Sequence, residues 1–187
     1  MAVSYVNWRG ETYYLHKTIM KNGRVHYYFS IRQDGELVDT LPEGYEIYEN
    51  VNGRVTLRKI RPRLISEDEI RIVEQELRCH ERLKYCRVDV KDKAIIVYEP
   101  QLEVDLLEDL LSRFMDMAAL EAEMKQWLTY GPILRFVLQD KVRRTFVAER
   151  MVFPGEGDWA SIGLPGPLKT LVRKYIKHLG QDSFYLL

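Results

Sequence analysis

The sequence predicts an α+β protein. A β-rich N-terminal domain over 1–63, an antiparallel β-meander or small barrel-like sheet, is joined through a two-faced helix to an α+β C-terminal domain over 64–187. Three observations carry this. Apolar and polar residues alternate with a period of two through 12–32 and again through 45–60, each time around an Asn-Gly pair, as in hairpins with one covered face. A helix with a complete start signal follows at 64–85. Beyond it the pattern runs helix, strand pair, helix, strand pair, helix, which suits helices laid on an antiparallel sheet.

The bulk numbers bound the class. A chain of 187 residues, 46% hydrophobic and 30% charged, has the apolar content to build a core and is not a disordered polymer. Its 28 basic and 28 acidic side chains cancel, so total charge favours no class of partner. Local charge is uneven: net +3 over 1–63, −7 over 64–130 and +4 over 131–187. The sequence opens directly into structured residues, without a basic and apolar leader, and no apolar run nears the roughly 18 residues of a membrane span. Two cysteines, Cys79 and Cys86, make no disulfide framework and read as small buried hydrophobes. The expected setting is the cytoplasm, with no membrane partner.

In the N-terminal domain, 12–20 and 24–32 are strands joined at Asn22-Gly23. Tyr13, Leu15, Ile19, Val25, Tyr27, Phe29 and Ile31 share one face, and Tyr14, His16, Thr18, Arg24, His26, Tyr28, Ser30 and Arg32 share the other. Residues 3–8 suit an edge strand and 36–39 a short third strand. A second hairpin spans 45–49 and 54–60, with Val55 and Leu57 inward and Arg54, Thr56 and Arg58 outward.

The run Leu-Pro-Glu-Gly-Tyr-Glu-Ile-Tyr-Glu-Asn at 41–50, continued by Asn52-Gly53 and Leu57-Arg58-Lys59, is distinctive. So is the tail Lys174-Tyr175-Ile176-Lys177-His178-Leu179-Gly180-Gln181-Asp182-Ser183-Phe184. With these two stretches the chain resembles a family of uncharacterised bacterial proteins, over most of its length. That family has proline where this chain has Val51. The resemblance implies a shared fold and no activity.

The second strand face is the leading candidate for a binding surface. Tyr14, His16, His26 and Tyr28, interleaved with Arg24, Arg32, Arg54 and Arg58, offer rings for bases and cations for phosphates. The competing explanation is a solvated face, since Tyr, Thr and Arg are common on strands and Glu43, Glu46 and Glu49 lie close by in sequence.

The helix at 64–85 begins with Ser66 and Glu69 as a capping box and with Ile65 and Ile70 as a hydrophobic staple. Glu67, Asp68 and Glu69 suit the positive end of its dipole. At about 100° per residue, Ile70, Val73, Leu77 and His80 share one side and Ile72, Cys79 and Leu83 the other, so the helix reads as packed on two sides. Strands are expected at 87–90 and 94–98, with Pro100 ending the second. A long helix rich in Leu and Met spans 104–128; its broad apolar surface suits burial or contact with a second chain. Strands at 133–138 and 145–153 follow the break at Gly131-Pro132. A loop at 154–165 precedes an amphipathic helix at 166–180, and 184–187 tuck back as a terminal strand.

Chemistry is sparsely signalled. The four histidines, His16, His26, His80 and His178, form no HExxH pair, and Cys79-His80 with Cys86 lacks zinc-knuckle spacing. No phosphate loop, dinucleotide fingerprint or nucleophile elbow is present, so neither metal nor cofactor is expected. A second candidate, an anion pocket, gathers Arg143, Arg144, Arg150, Asp158, Trp159, Lys174 and His178. The expected function is a non-enzymatic nucleic-acid-binding or regulatory module. The alternatives are an interaction subunit that oligomerises through 104–128, and an enzyme acting on a phosphorylated small molecule near Arg144, Asp158 and His178.

Overall fold

The computed structural model describes residues 2–102, 104, 116–152 and 158–187. The chain is α+β, with antiparallel sheets throughout. It divides into two compact units: Met1–Pro62 with Glu108–Trp127, and Arg63–Leu107 with Leu128–Leu187.

The first unit contains β1 (Ser4–Val6), β2 (Thr12–Ile19) and β3 (Val25–Ser30) in the order β1-β2-β3, and a separate hairpin of β4 (Tyr45–Glu49) and β5 (Val55–Lys59). The N-terminal strands thus form a three-stranded antiparallel meander and a separate hairpin. Residues 36–39 add no strand; His16 and Leu37 make an isolated bridge, and Lys17 N–H donates to the Glu36 carbonyl at 3.0 Å. The Asn-Gly signals hold because each glycine supplies the positive φ of its turn, +78° at Gly23 and +76° at Gly53. Leu15 is fully buried, but Ile19 and Val25, paired at the hairpin tip, are 72% and 51% exposed. The alternation is right there and the burial is not, because the strands outrun the residues that cover them.

Sheet and hairpin are locked by Asn7, 4% exposed. Its amide donates to Glu11 Oε2 at 2.7 Å and to the Gly53 carbonyl at 2.8 Å, and its Oδ1 accepts from the backbone N–H groups of Arg9 and Glu11. All four hydrogen-bonding positions of the side chain are filled. Glu49 adds a second tie, accepting from Tyr5 Oη and from Trp8 N–H at 2.8 Å each.

The second unit begins with α1 (Glu67–Arg78), capped as its sequence demands. Ser66 Oγ accepts from Glu69 N–H, and Glu69 Oε2 accepts from Ser66 N–H. The helix stops at Arg78, well short of 85, and a 3-10 turn at Glu81–Leu83 follows. Leu83 is buried, but from that turn, so its phase match with Ile72 was fortuitous. Val73 and Leu77 are buried and Ile70 and Ile72 half-buried against one common core, whereas Cys79 is exposed. The second stripe therefore does not form a dry face of its own.

The remaining strands are β6 (Arg87–Lys91), β7 (Ala94–Pro100), β8 (Tyr130–Asp140), β9 (Thr145–Met151), β10 (Trp159–Ser161) and β11 (Gly166–Pro167). They form one antiparallel sheet in the order β10-β9-β8-β7-β6, with β11 also paired to β9. Gly131-Pro132 opens a strand there, and the predicted loop at 154–165 contributes β10. Its first residues lie outside the described set.

Helix α2 (Met117–Trp127) covers part of the predicted helix at 104–128; residues 103 and 105–115 lie outside the described residues. Helix α3 (Leu168–Tyr175) continues into a 3-10 turn at Ile176–His178, and the tail ends in another at Asp182–Phe184, not in a strand. Leu168, Leu171, Val172 and Tyr175 of α3 join Val73 and Leu77 of α1 over Ile95, Val97, Phe136, Phe146 and Ala148 of the sheet. Each such large side chain contributes about 1.5–3 kcal/mol of burial. No helix among the described residues is long and apolar enough to cross a membrane.

Candidate functional site

The register of β2 and β3 places Tyr14 opposite Ser30, His16 opposite Tyr28 and Thr18 opposite His26. Directly opposed residues project to the same side of a sheet, so these six share a face; Arg24 immediately precedes β3 and Arg32 lies two residues beyond its end. The pairing produces a row of rings. His16 and Tyr28 stack with centroids 5.2 Å apart, Tyr28 and His26 with centroids 6.0 Å apart, each pair within 14° of parallel. Arg24 and Arg32 are exposed and make no ion pair among the described residues. No carboxylate occupies this register; Glu36 is held by Lys17 at 2.7 Å, and Lys17 belongs to the opposite face.

Not every residue proposed from sequence is available. His16 is 1% exposed, so it stacks beside Tyr28 but offers no surface to a base. Its Nε2 lies 2.9 Å from the Arg32 carbonyl, which only accepts, so Nε2 carries the hydrogen. Its Nδ1 is buried close to Gly35, without a partner among the described residues. Tyr14 is half-buried and accepts from Gln33 Nε2 at 2.6 Å. Arg58 is committed to Glu46 at 2.7 Å and lies over the Tyr48 ring. Arg54 is exposed on the β4–β5 hairpin. The open part of the face is therefore His26 and Tyr28 (40% exposed) between Arg24 and Arg32.

The structure does not assemble the second candidate set. Arg144 grips Glu69: Nε donates to Oε1 at 2.9 Å, one terminal nitrogen bonds Oε2, and the same nitrogen donates to the Leu64 carbonyl at 3.2 Å. Burial pulls the Glu69 carboxyl upward, but the Arg144 and Ser66 hydrogen bonds outweigh it and hold the group below the usual carboxylate range. Arg144 is thus a structural cation that ties the β8–β9 turn to the start of α1. The hollow beside it, about 390 Å³ and lined by Arg63–Glu67 and Arg144, contains neither Asp158 nor His178.

Asp158 bonds through its carbonyl to Val152 N–H, past the far end of β9 from Arg144. Seven strand residues, about 23 Å, separate those ends. Arg143 is exposed on the turn, Arg150 donates to the Leu187 carbonyl, Lys174 lies over the Tyr175 ring, and His178 Nδ1 is 2.9 Å from Ser183 Oγ. Trp159 lies under the Arg135 guanidinium, 4.3 Å from its centre, and Arg135 binds Glu149 at 2.6 Å. That Arg135–Glu149–Trp159 cluster was not anticipated, because cross-strand contacts depend on a pairing that sequence spacing does not reveal. Among the described residues, Arg144, Asp158 and His178 are held by separate partners and do not meet at the hollow beside Arg144.

Burial pushes the Cys86 thiol up to about 12, with Glu99 adding to the rise, which disfavours the thiolate. Glu99 is itself raised by burial. Among the described residues no group of three or more His, Cys, Asp or Glu side chains is placed to hold a metal ion. In the described part of 104–128, Leu120 and Met124 are buried and Trp127 is exposed.

No family model matches the chain, and no curated protein or solved structure matches it either.

Proposed function

We propose that the first unit is a non-enzymatic nucleic-acid-binding module, and that it takes single-stranded segments on the outer face of the β1-β2-β3 sheet. The carrying observation is the parallel row His16–Tyr28–His26, with Arg24 and Arg32, exposed and without an ion pair among the described residues, just before and just after β3. A tyrosine and a histidine on rigid strands give unstacked bases a π surface, and two free guanidinium groups meet the backbone. His16 stacks at one end of the row, which limits how far the Tyr28 ring can tilt before a ligand arrives. A duplex, with its bases already stacked, gains little from such a platform.

Fluorescence anisotropy of a labelled single-stranded oligonucleotide tests this. Tyr28→Ala is expected to weaken binding by about 1–3 kcal/mol. Arg24→Ala with Arg32→Ala is expected to weaken it further and to flatten the dependence on log salt by about 1.4, from two lost phosphate contacts on a single strand. Binding that is absent, or unchanged in both variants, overturns the proposal.

A further inference from the structure

The second unit carries a cation row that the sheet face does not use. Lys169 and Arg173 lie four residues apart on α3, and Lys177 follows four later in the 3-10 turn; all three are exposed and make no ion pair among the described residues. The register Pro167 opposite Thr145 brings the start of α3 beside the β8–β9 turn, where Lys141 and Arg143 are likewise exposed and unpaired. Most of the neighbouring acids are already committed; among the described residues Asp182, exposed in the 3-10 turn after the one carrying Lys177, is not. Asp140 accepts from the N–H groups of Val142 and Arg143, Glu69 is held by Arg144, and on α1, which packs beside α3, Asp68 and Glu74 pair with Arg71 and Arg78. The row from Lys169 to Lys177 spans about 12 Å at helical rise, close enough to the Debye length of about 8 Å for the three fields to overlap at physiological salt.

We infer that this row is a second nucleic-acid surface, one that binds the phosphodiester backbone of a duplex without reading bases. Three features select that partner. The cations are solvated, so each contact is weak alone, and only a polymer that releases counterions at many of them binds usefully. The apolar side of α3 cannot enter a lipid surface, because Leu168, Leu171, Val172, Tyr175 and Ile176 are at most 5% exposed within the core of their own unit. The exposed apolar side chains nearby, Val142 and Leu164, are single aliphatic residues and not the aromatic or arginine anchors that dominate protein–protein contacts. The inference does not depend on the sheet face, which needs unstacked bases.

The test uses the full chain and a labelled 25-base-pair DNA duplex of mixed sequence, titrated across salt. The triple variant Lys169→Gln, Arg173→Gln, Lys177→Gln is expected to reduce the slope of log K against log salt by about 2.7, from three lost contacts. Lys169→Arg with Lys177→Arg is expected to preserve it, and so is Arg71→Gln, which removes a cation already paired. Each single substitution is expected to lower the slope by about 0.9, which serves if the triple variant does not fold. Tyr28→Ala is expected to leave duplex binding unchanged and to weaken only the single-stranded probe, so the two surfaces fail separately. An unchanged slope in the charge-removed variants overturns the inference, as does binding to vesicles containing phosphatidylserine with none to the duplex.

Discussion

Arg144 has a positive φ of +51°, a conformation that costs a non-glycine residue about 1–2 kcal/mol. The strain persists because the side chain makes three charge-assisted hydrogen bonds, two to Glu69 and one to the Leu64 carbonyl. Arg144→Ala removes these, keeps the strained backbone, and leaves a Glu69 side chain only 12% exposed without its cation. Charged hydrogen bonds are worth about 1.5–3 kcal/mol and a buried charge left unpaired about 3–5. The Arg144 side chain is itself 39% exposed, so water recovers part of the loss. The expected cost is about 2–3 kcal/mol. Arg144→Gly loses the same contacts but relieves the backbone, and is expected to cost about 1 kcal/mol less.

A pH dependence accompanies this. The folded-state pKa of Glu69 lies below its unfolded value, so its contribution is present above about pH 4.3 and is lost as pH falls through the folded value. Arg144→Ala is expected to remove most of that acid-side dependence. Because the chain has two units, stability is best read locally, from amide hydrogen exchange of α1 and β9. Equal protection in the alanine and glycine variants, both within about 0.5 kcal/mol of the parent, refutes the reasoning.

Three further outcomes are expected. Asn7→Ala strands the N–H groups of Arg9 and Glu11 and the Gly53 carbonyl, and is expected to destabilise the first unit by about 2–4 kcal/mol, read by exchange in β2 and β4. Glu99→Gln is expected to raise the melting temperature at pH 7 and to leave it unchanged near pH 3. A carboxyl raised by burial favours the folded state while protonated and opposes it once pH climbs through the folded pKa. Gly163→Ala drives a methyl into Tyr175 Oη, which is fixed by its bond to the Ile162 carbonyl, and is expected to cost about 1–3 kcal/mol by thermal unfolding.

Local patterns were legible where the physics is local. The Ser66–Glu69 box, the two Asn-Gly turns and the alternation along β3 need only neighbouring residues, and each stands where the sequence puts it. Helix ends were less legible, because the apolar phase of α1 continues to Leu83 although the backbone turns after Arg78. The burial of His16 depends on the 35–37 segment, with Gly35 close to its ring and Leu37 bridged beside it, and alternation alone places it outward beside Tyr28. Arg144 and Glu69 are 75 residues apart, so nothing near either one signals that a cation proposed for a ligand already has a carboxylate. Trp159 was hidden for another reason: a Gly/Pro-rich stretch reads as loop, although a three-residue strand there needs only the open edge of β9.

The central claim, that the outer face of the first sheet receives unstacked bases, is tested most directly by ring-proton chemical shifts in NMR while a single-stranded oligonucleotide is titrated in. The account expects the largest shifts at His26 and Tyr28, with His16 responding only through its neighbour. Saturating binding that leaves those two rings unshifted would contradict it.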